Sequence, residues 1–188
     1  MKVFLVDNGT TLLEKLQKLI PGEEEVVCFD SFDSAAAQDA DLVVLSGSSI
    51  GPLYGNEDKY KEEIEFIKNT DKPIFGICFG CELIVHAFGG TLKKLDEHEH
   101  GEVLVSVVDN KELFCGKDSF TAFENHRWGI DVLPEGFSTL AESEHGPEVI
   151  VDRKRNMYGI QYHPENQVEE HEADEVFLHM FESVVRGI

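Results

Sequence analysis

Residues 73–90 read PIFGICFGCELIVHAFGG. The apolar run from Ile74 to Ile77 has the length of a buried strand, and CELIVHAFGG (81–90) has the length and the glycine stop of a helix. Between them lies Gly76-Ile77-Cys78-Phe79-Gly80, a thiol with a glycine two residues before it and two after. Strand, sharp turn and helix with this spacing describe a nucleophile elbow, where backbone segments approach closely and the dihedral angles at the nucleophile are strained. A helix start also lowers a thiol pKa through its dipole and free N–H groups. The N–H of Phe79 then points to where an oxyanion would form. The same residues admit a second reading, Cys78 and Cys81 as a C-x-x-C redox pair. In that case Cys81 would sit one turn into a helix whose glycines already fit an elbow. Cys81 is therefore read as a small buried helix residue.

Working outward, KVFLVD (2–7), VVCF (26–29) and DLVVLS (41–46) are short apolar strands. They alternate with helical patterns at TLLEKLQKLI (11–20), SFDSAAAQDA (31–40) and EDKYKEEIEFIKN (57–69). A β-α alternation of this kind argues for a parallel sheet with helices on both faces, with ligands bound at the carboxyl ends of the strands. The loops after Ser46 and Ile77 should share that edge. The second half is richer in strands: 102–109, 119–124, 137–142, 148–152 and 157–163. An amphipathic helix spans 169–186. With no repeat and no linker, the expectation is one α/β domain over 1–188, built on a mostly parallel central sheet.

The chain has 37 acidic and 16 basic side chains, a formal net charge of -21. Such a surface repels nucleic acid and anionic lipid. No segment has the ~20 apolar residues of a membrane span, and the N-terminal apolar run is too short for a signal peptide. A cytoplasmic location with reduced cysteines is expected. DEHEHGE (96–102) sets His98 and His100 among carboxylates, but a metal site needs three or four converging ligands. It is read as a solvated acidic loop, EEHE (169–172) as a charged first helical turn, and neither a metal nor a cofactor is expected.

A nucleophilic cysteine needs a base. His163 ends the apolar segment MYGIQY and is followed by Pro164 and Glu165. A histidine at a strand's carboxyl end meets Cys78 on the same sheet edge, and Glu165 can orient the imidazole.

With GICFG around Cys78, LSG at 45–47 before a Gly-Pro loop, Gly89-Gly90, and YGIQYHPE at 158–165, the chain resembles the class I (triad) glutamine amidotransferases over nearly its whole length. Within the family it is most similar to the separate glutaminase subunits of archaeal-type GMP synthases, through VDNG, LFCG (113–116), ENHRWGIDVLPEGF (124–137) and LAESEHGP (140–147). The resemblance implies a flavodoxin-like fold and a Cys78-His163-Glu165 triad acting on glutamine through a γ-glutamyl thioester. It implies an oxyanion hole from the backbone of Phe79 and of Gly47 or Ser48, and a separate ATP-pyrophosphatase partner that takes up ammonia to aminate XMP. Three places depart from the family pattern. Ser48-Ser49 replace Gly-Pro, Cys81-Glu82 replace His-Gln, and the aspartate after Asn125-His126 is missing. These departures surround the substrate pocket, where Glu82, Asn125 and His126 are expected to contact substrate, with Glu82 facing an α-ammonium. A stand-alone γ-glutamyl hydrolase or peptidase with the same triad, and a catalytically silent binding module, remain open alternatives.

Overall fold

The computed structural model of the chain describes residues 1–166 and 172–186. In chain order its elements are β1 (Lys2–Asp7), α1 (Leu13–Leu19), β2 (Glu23–Cys28), α2 (Ser34–Gln38), β3 (Leu42–Leu45), α3 (Lys61–Asn69), β4 (Ile74–Ile77) and α4 (Phe79–Ala87). There follow β5 (Thr91–Val107), β6 (Ser119–Val132), β7 (Ser138–Ser143), β8 (Gly146–Asp152), β9 (Met157–Ile160) and α5 (Glu172–Arg186). Among the described residues these strands form one nine-stranded sheet in the order β2-β1-β3-β4-β9-β8-β7-β5-β6. The first five in that order are mutually parallel, and β8, β7, β5 and β6 continue the sheet antiparallel.

Alternation along the parallel strands builds two cores. Val3, Leu5, Leu42, Val44, Phe75 and Ile77 face a cluster closed by Leu16 of α1 and by Val176, Phe177, Met180, Phe181 and Val184 of α5. Phe4, Val6, Val43, Leu45 and Ile74 face the opposite cluster, closed by Ala37, Ile64, Ile67, Leu83 and Ile84 of α2, α3 and α4. Both faces of β3, β4 and β9 are therefore buried, which is why they read as unbroken apolar runs. No described helix is long and apolar enough to cross a membrane.

The structure corrects several boundaries. The DEHEHGE segment is not a loop: it lies within β5, seventeen residues long, paired with the fourteen-residue β6 in a hairpin whose register shifts between Lys94 and Glu99. Charged side chains on the exposed positions hid the 91–101 part of this strand from a hydrophobic-pattern reading that found only its continuation from 102, while its backbone groups are satisfied across the hairpin. Strand β2 starts at Glu23 rather than Val26, because an edge strand tolerates exposed glutamates. Helix α4 starts at Phe79, directly after the thiol, and 57–60 form a 3-10 turn before α3. Of EEHE, 169–171 lie outside the described residues and Glu172 opens α5.

Candidate active site

Strands β3, β4 and β9 are consecutive neighbours in the sheet, so Gly47, Cys78 and His163, each just past a carboxyl end, arrive on one edge. The elbow at Cys78 is strained: φ is 48° and ψ is -103°, a region that a non-glycine residue occupies only when its surroundings hold it there. Its N–H donates to the Ile160 carbonyl at 2.7 Å, and its own carbonyl accepts from the Glu82 N–H at 3.0 Å as the first helical bond. Both flanking glycines are sterically required. A Cβ on Gly76 would lie 2.6 Å from the Gly80 carbonyl carbon, and one on Gly80 would press into the Leu45 carbonyl.

His163 lies in the turn beyond β9 and is almost wholly buried. Its Nδ1 meets Glu165 Oε1 at 2.8 Å, and its backbone N–H donates to the Phe123 carbonyl of β6 at 2.8 Å. With Nδ1 donating to the carboxylate, Nε2 is free to take a proton from the thiol. Burial opposes charge on the imidazole, but the facing Cys78 thiolate and the Glu165 carboxylate outweigh it and raise the His163 pKa well above its ordinary value. Burial pushes the Cys78 thiol up, and His163 pulls it down through charge and hydrogen bonding. The pair thus exchanges one proton between buried partners. Cys81 has no such neighbour. It is fully buried against Gly159 of β9, and burial and nearby carboxylates hold its thiol well above the ordinary value. Both cysteines are free thiols, and an inert Cys81 does not suit the redox reading.

Gly47 completes the edge. A Cβ there would stand 2.9 Å from His163 Cε1 and 3.8 Å from Cys78 Cβ, so its backbone lies against both. Neither Ser48 nor Ser49 has a positive φ, so serine adopts this loop conformation without the left-handed backbone that would call for glycine. The Phe79 N–H belongs to the first turn of α4, where backbone donors lack intrahelical acceptors.

Behind this loop runs a buried relay that the helical pattern of residues 57–69 concealed. The Asn8 amide donates to Glu63 Oε1 at 3.1 Å, the Asn8 N–H donates to Ser46 Oγ at 2.9 Å, and the Ser46 hydroxyl donates to the Gly47 carbonyl at 2.8 Å. Glu63 is 1 % exposed, and burial lifts its pKa to about 8 despite the Asn8 hydrogen bond. It is therefore a neutral acid holding the loop that carries Gly47.

A cleft of about 400 Å³ opens onto Cys78, lined also by Ser48, Phe79, Glu82, Asn125, His126 and Trp128. Larger grooves lie elsewhere, such as one between α2 and α3 near Gln38 and Asn69, but no cysteine lines them. All three expected substrate contacts thus reach the same cleft as the thiol. The charged role expected of Glu82 changes. At 4 % exposure its pKa is raised to about 8 by burial, so at neutral pH it is mainly the uncharged acid, with one donor and one acceptor as in an amide. Asn125 is exposed and its Oδ1 contacts His98 Nε2 at 2.8 Å across the hairpin, which brings His98, read from sequence as part of an acidic loop, to the cleft wall. His126 turns inward, its Nδ1 on the Trp128 carbonyl at 3.0 Å.

Residues 4–183 match the glutamine amidotransferase class-I family. The glutamine-hydrolyzing GMP synthase of Tropheryma whipplei (strain Twist) is 31 % identical over 168 residues, 87 % of this chain. The chain spans only 33 % of that relative's length. A separate subunit of the glutamine-hydrolyzing GMP synthase of Methanococcus maripaludis (strain C5) is 37 % identical over 99 residues, 52 % of each chain. A crystal structure from Thermoplasma acidophilum, of a chain assigned as one subunit of a GMP synthase, superposes with a TM-score of 0.86 at 27 % identity, covering 99 % of this chain and 94 % of that one. The strained thiol at the carboxyl end of β4 and the family match over nearly the full length lead to one conclusion: this chain belongs to the class I glutamine amidotransferases.

Proposed function

We propose that the chain hydrolyses glutamine to glutamate and ammonia with Cys78 as nucleophile, His163 as proton carrier and Glu165 as the group that orients His163. The observation that carries this reading is the convergence of a strained thiol and a carboxylate-bound imidazole on the ends of neighbouring strands. Cys78 Sγ attacks the γ-amide carbon while His163 takes the thiol proton. Negative charge develops on the amide oxygen, and the N–H groups about Phe79 and Gly47 or Ser48 stabilise it. His163 returns the proton to the leaving nitrogen, ammonia departs, and a γ-glutamyl thioester remains. Water, deprotonated by His163, then attacks the thioester carbon to release glutamate and the thiol.

The relatives named as whole GMP synthases, and those named as a separate subunit of one, support a finer reading. In it the ammonia passes to a separate ATP-pyrophosphatase partner that aminates XMP. Glu82, Asn125 and His126 contact the substrate in the cleft, with Glu82 as a neutral hydrogen-bonding group.

The test is glutamate release from glutamine by the purified protein, alone and with an ATP-pyrophosphatase partner. The expected result is turnover that Cys78→Ala reduces by ~10³-fold or more, as removal of a triad nucleophile does. Absence of glutamate release under both conditions, with cleavage of γ-glutamyl peptides instead, would overturn it in favour of a stand-alone γ-glutamyl hydrolase.

A further inference from the structure

Beneath the cleft His126, one edge of which lines the cleft wall, meets two buried carboxyls, Glu124 and Glu148, that the proposed glutaminase chemistry does not use. Glu124 and His126 project from the same face of β6, and Glu148 comes from β8. The two strands are not neighbours in the sheet. One ligand atom from each of the three residues lies within 4.8 Å of the others, and the three are 0 %, 5 % and 2 % exposed.

Their hydrogen bonding is organised from outside and unfinished inside. His126 Nδ1 faces the Trp128 carbonyl, which can only accept, so Nδ1 carries the proton and Nε2 of the neutral ring carries a lone pair. Glu124 Oε2 lies 3.1 Å from Nε2, with the separation but not the direction of a hydrogen bond. The Ser143 hydroxyl donates to Glu148 Oε1 at 2.6 Å and orients that carboxyl. The Glu124 and Glu148 carboxyls meet each other in a hydrogen bond that needs a shared proton, and beyond it neither oxygen of Glu124, Oε2 of Glu148 nor Nε2 of His126 has a donor among the described residues. Burial raises the pKa of both carboxyls, so without a cation they take up protons, and a cation competes with those protons for the point where the three side chains converge.

We propose that Glu124, His126 and Glu148 bind one divalent transition-metal ion, Zn²⁺ or Mn²⁺. One imidazole with two carboxylates is a donor set of borderline hardness that suits these ions. Ca²⁺ takes six to eight oxygens and Mg²⁺ keeps an octahedral oxygen shell, so neither matches three ligands with a nitrogen among them. Outer partners that fix the ligands, here the Trp128 carbonyl and the Ser143 hydroxyl, are the usual support of such a site. Bonds of ~2.1 Å set tetrahedral ligands ~3.4 Å apart, close to the 3.1 Å between His126 Nε2 and Glu124 Oε2, with the Glu148 ligand atom within 4.8 Å of both. The bound ion ties β6 to β8. The residue before Glu124, Phe123, accepts the backbone N–H of His163, so the ion also stiffens the strand that positions the proposed base.

The test is calorimetric titration of chelator-treated protein with ZnCl₂ and with MnCl₂, in the absence of glutamine. Its outcome is therefore independent of the proposed glutaminase activity. About one equivalent is expected to bind. Glu148→Gln, which keeps the shape and removes the charge, should weaken affinity by at least ~10-fold, Ser143→Ala by ~10-fold, and Cys78→Ala should leave it unchanged. With Co²⁺ the visible bands should appear without an intense near-ultraviolet thiolate band. No uptake, with the carboxyls simply holding protons, overturns the site. So does uptake that Glu148→Gln leaves unchanged, or uptake that Cys78→Ala abolishes.

Discussion

Replacing Glu63 by glutamine should leave stability nearly unchanged at pH 5 and raise it progressively towards pH 8.5. Glu63 is buried behind the Gly47 loop and its carboxyl titrates at about 8 in the folded chain, raised by burial against the opposing Asn8 hydrogen bond. In the unfolded chain it titrates near 4.5. Between these values the folded state holds a proton that the unfolded state has lost. Stability from this group is therefore complete below pH 4.5, falls by about 1.4 kcal/mol per pH unit through the window, and levels off above pH 8. The whole window amounts to about 5 kcal/mol. Glutamine resembles the neutral acid, keeps an oxygen for the Asn8 amide and does not titrate. The variant and the parent protein should match within ~1 kcal/mol at pH 5. By pH 8.5 the variant should be the more stable by several kcal/mol, with the gap widening steadily between. Urea unfolding of both proteins at half-unit pH steps measures that gap, and other buried carboxyls cancel from the difference. Parallel stability curves from pH 5 to 8.5 would show that Glu63 is ionised in the folded chain, and the neutral relay to Ser46 would be wrong.

Two further outcomes follow from the site. Gly47→Ala places a Cβ 2.9 Å from His163 Cε1, so it should lower kcat for glutamine by ~10- to 100-fold through displacement of the imidazole. Stability should change by under ~2 kcal/mol, and an unaltered kcat would show that the loop moves without disturbing His163. Glu82→Gln should hold substrate affinity above pH 8, where the parent Glu82 ionises. The ratio of kcat/KM, variant over parent, should rise up to ~10-fold per pH unit on that limb. A ratio independent of pH from 6.5 to 9.5 would remove Glu82 from substrate binding.

Much of this protein was legible in the order of its residues. The β-α alternation, the apolar strands with both faces buried, the glycine-flanked Cys78 and the His163-Pro164-Glu165 segment depend on local pattern. Local pattern is set by chain periodicity and by the backbone geometry that glycine permits. The Cys78 elbow and the convergence of Cys78 with His163 could be argued because parallel strands must end on a common edge. Other features were illegible because their meaning lies in what surrounds them. The 91–101 part of strand β5 carries charge along its exposed positions and has almost no apolar signal, unlike the 102–107 part, which the sequence marked as a strand. Glu63 occupies an ordinary polar position of a helix, yet it is neutral because α3 packs it against Asn8. Glu124 and His126 fill inward positions of β6 where an apolar residue would have marked the strand. Their third neighbour, Glu148, comes from a strand three places away in the sheet. The sequence by itself determined the elements, the direction of the first sheet half and the residues capable of covalent chemistry. Only the tertiary structure decided which carboxyls lose their charge and which side chains share a buried point. Desolvation and distance depend on packing between segments remote in the chain, and no local spacing encodes them.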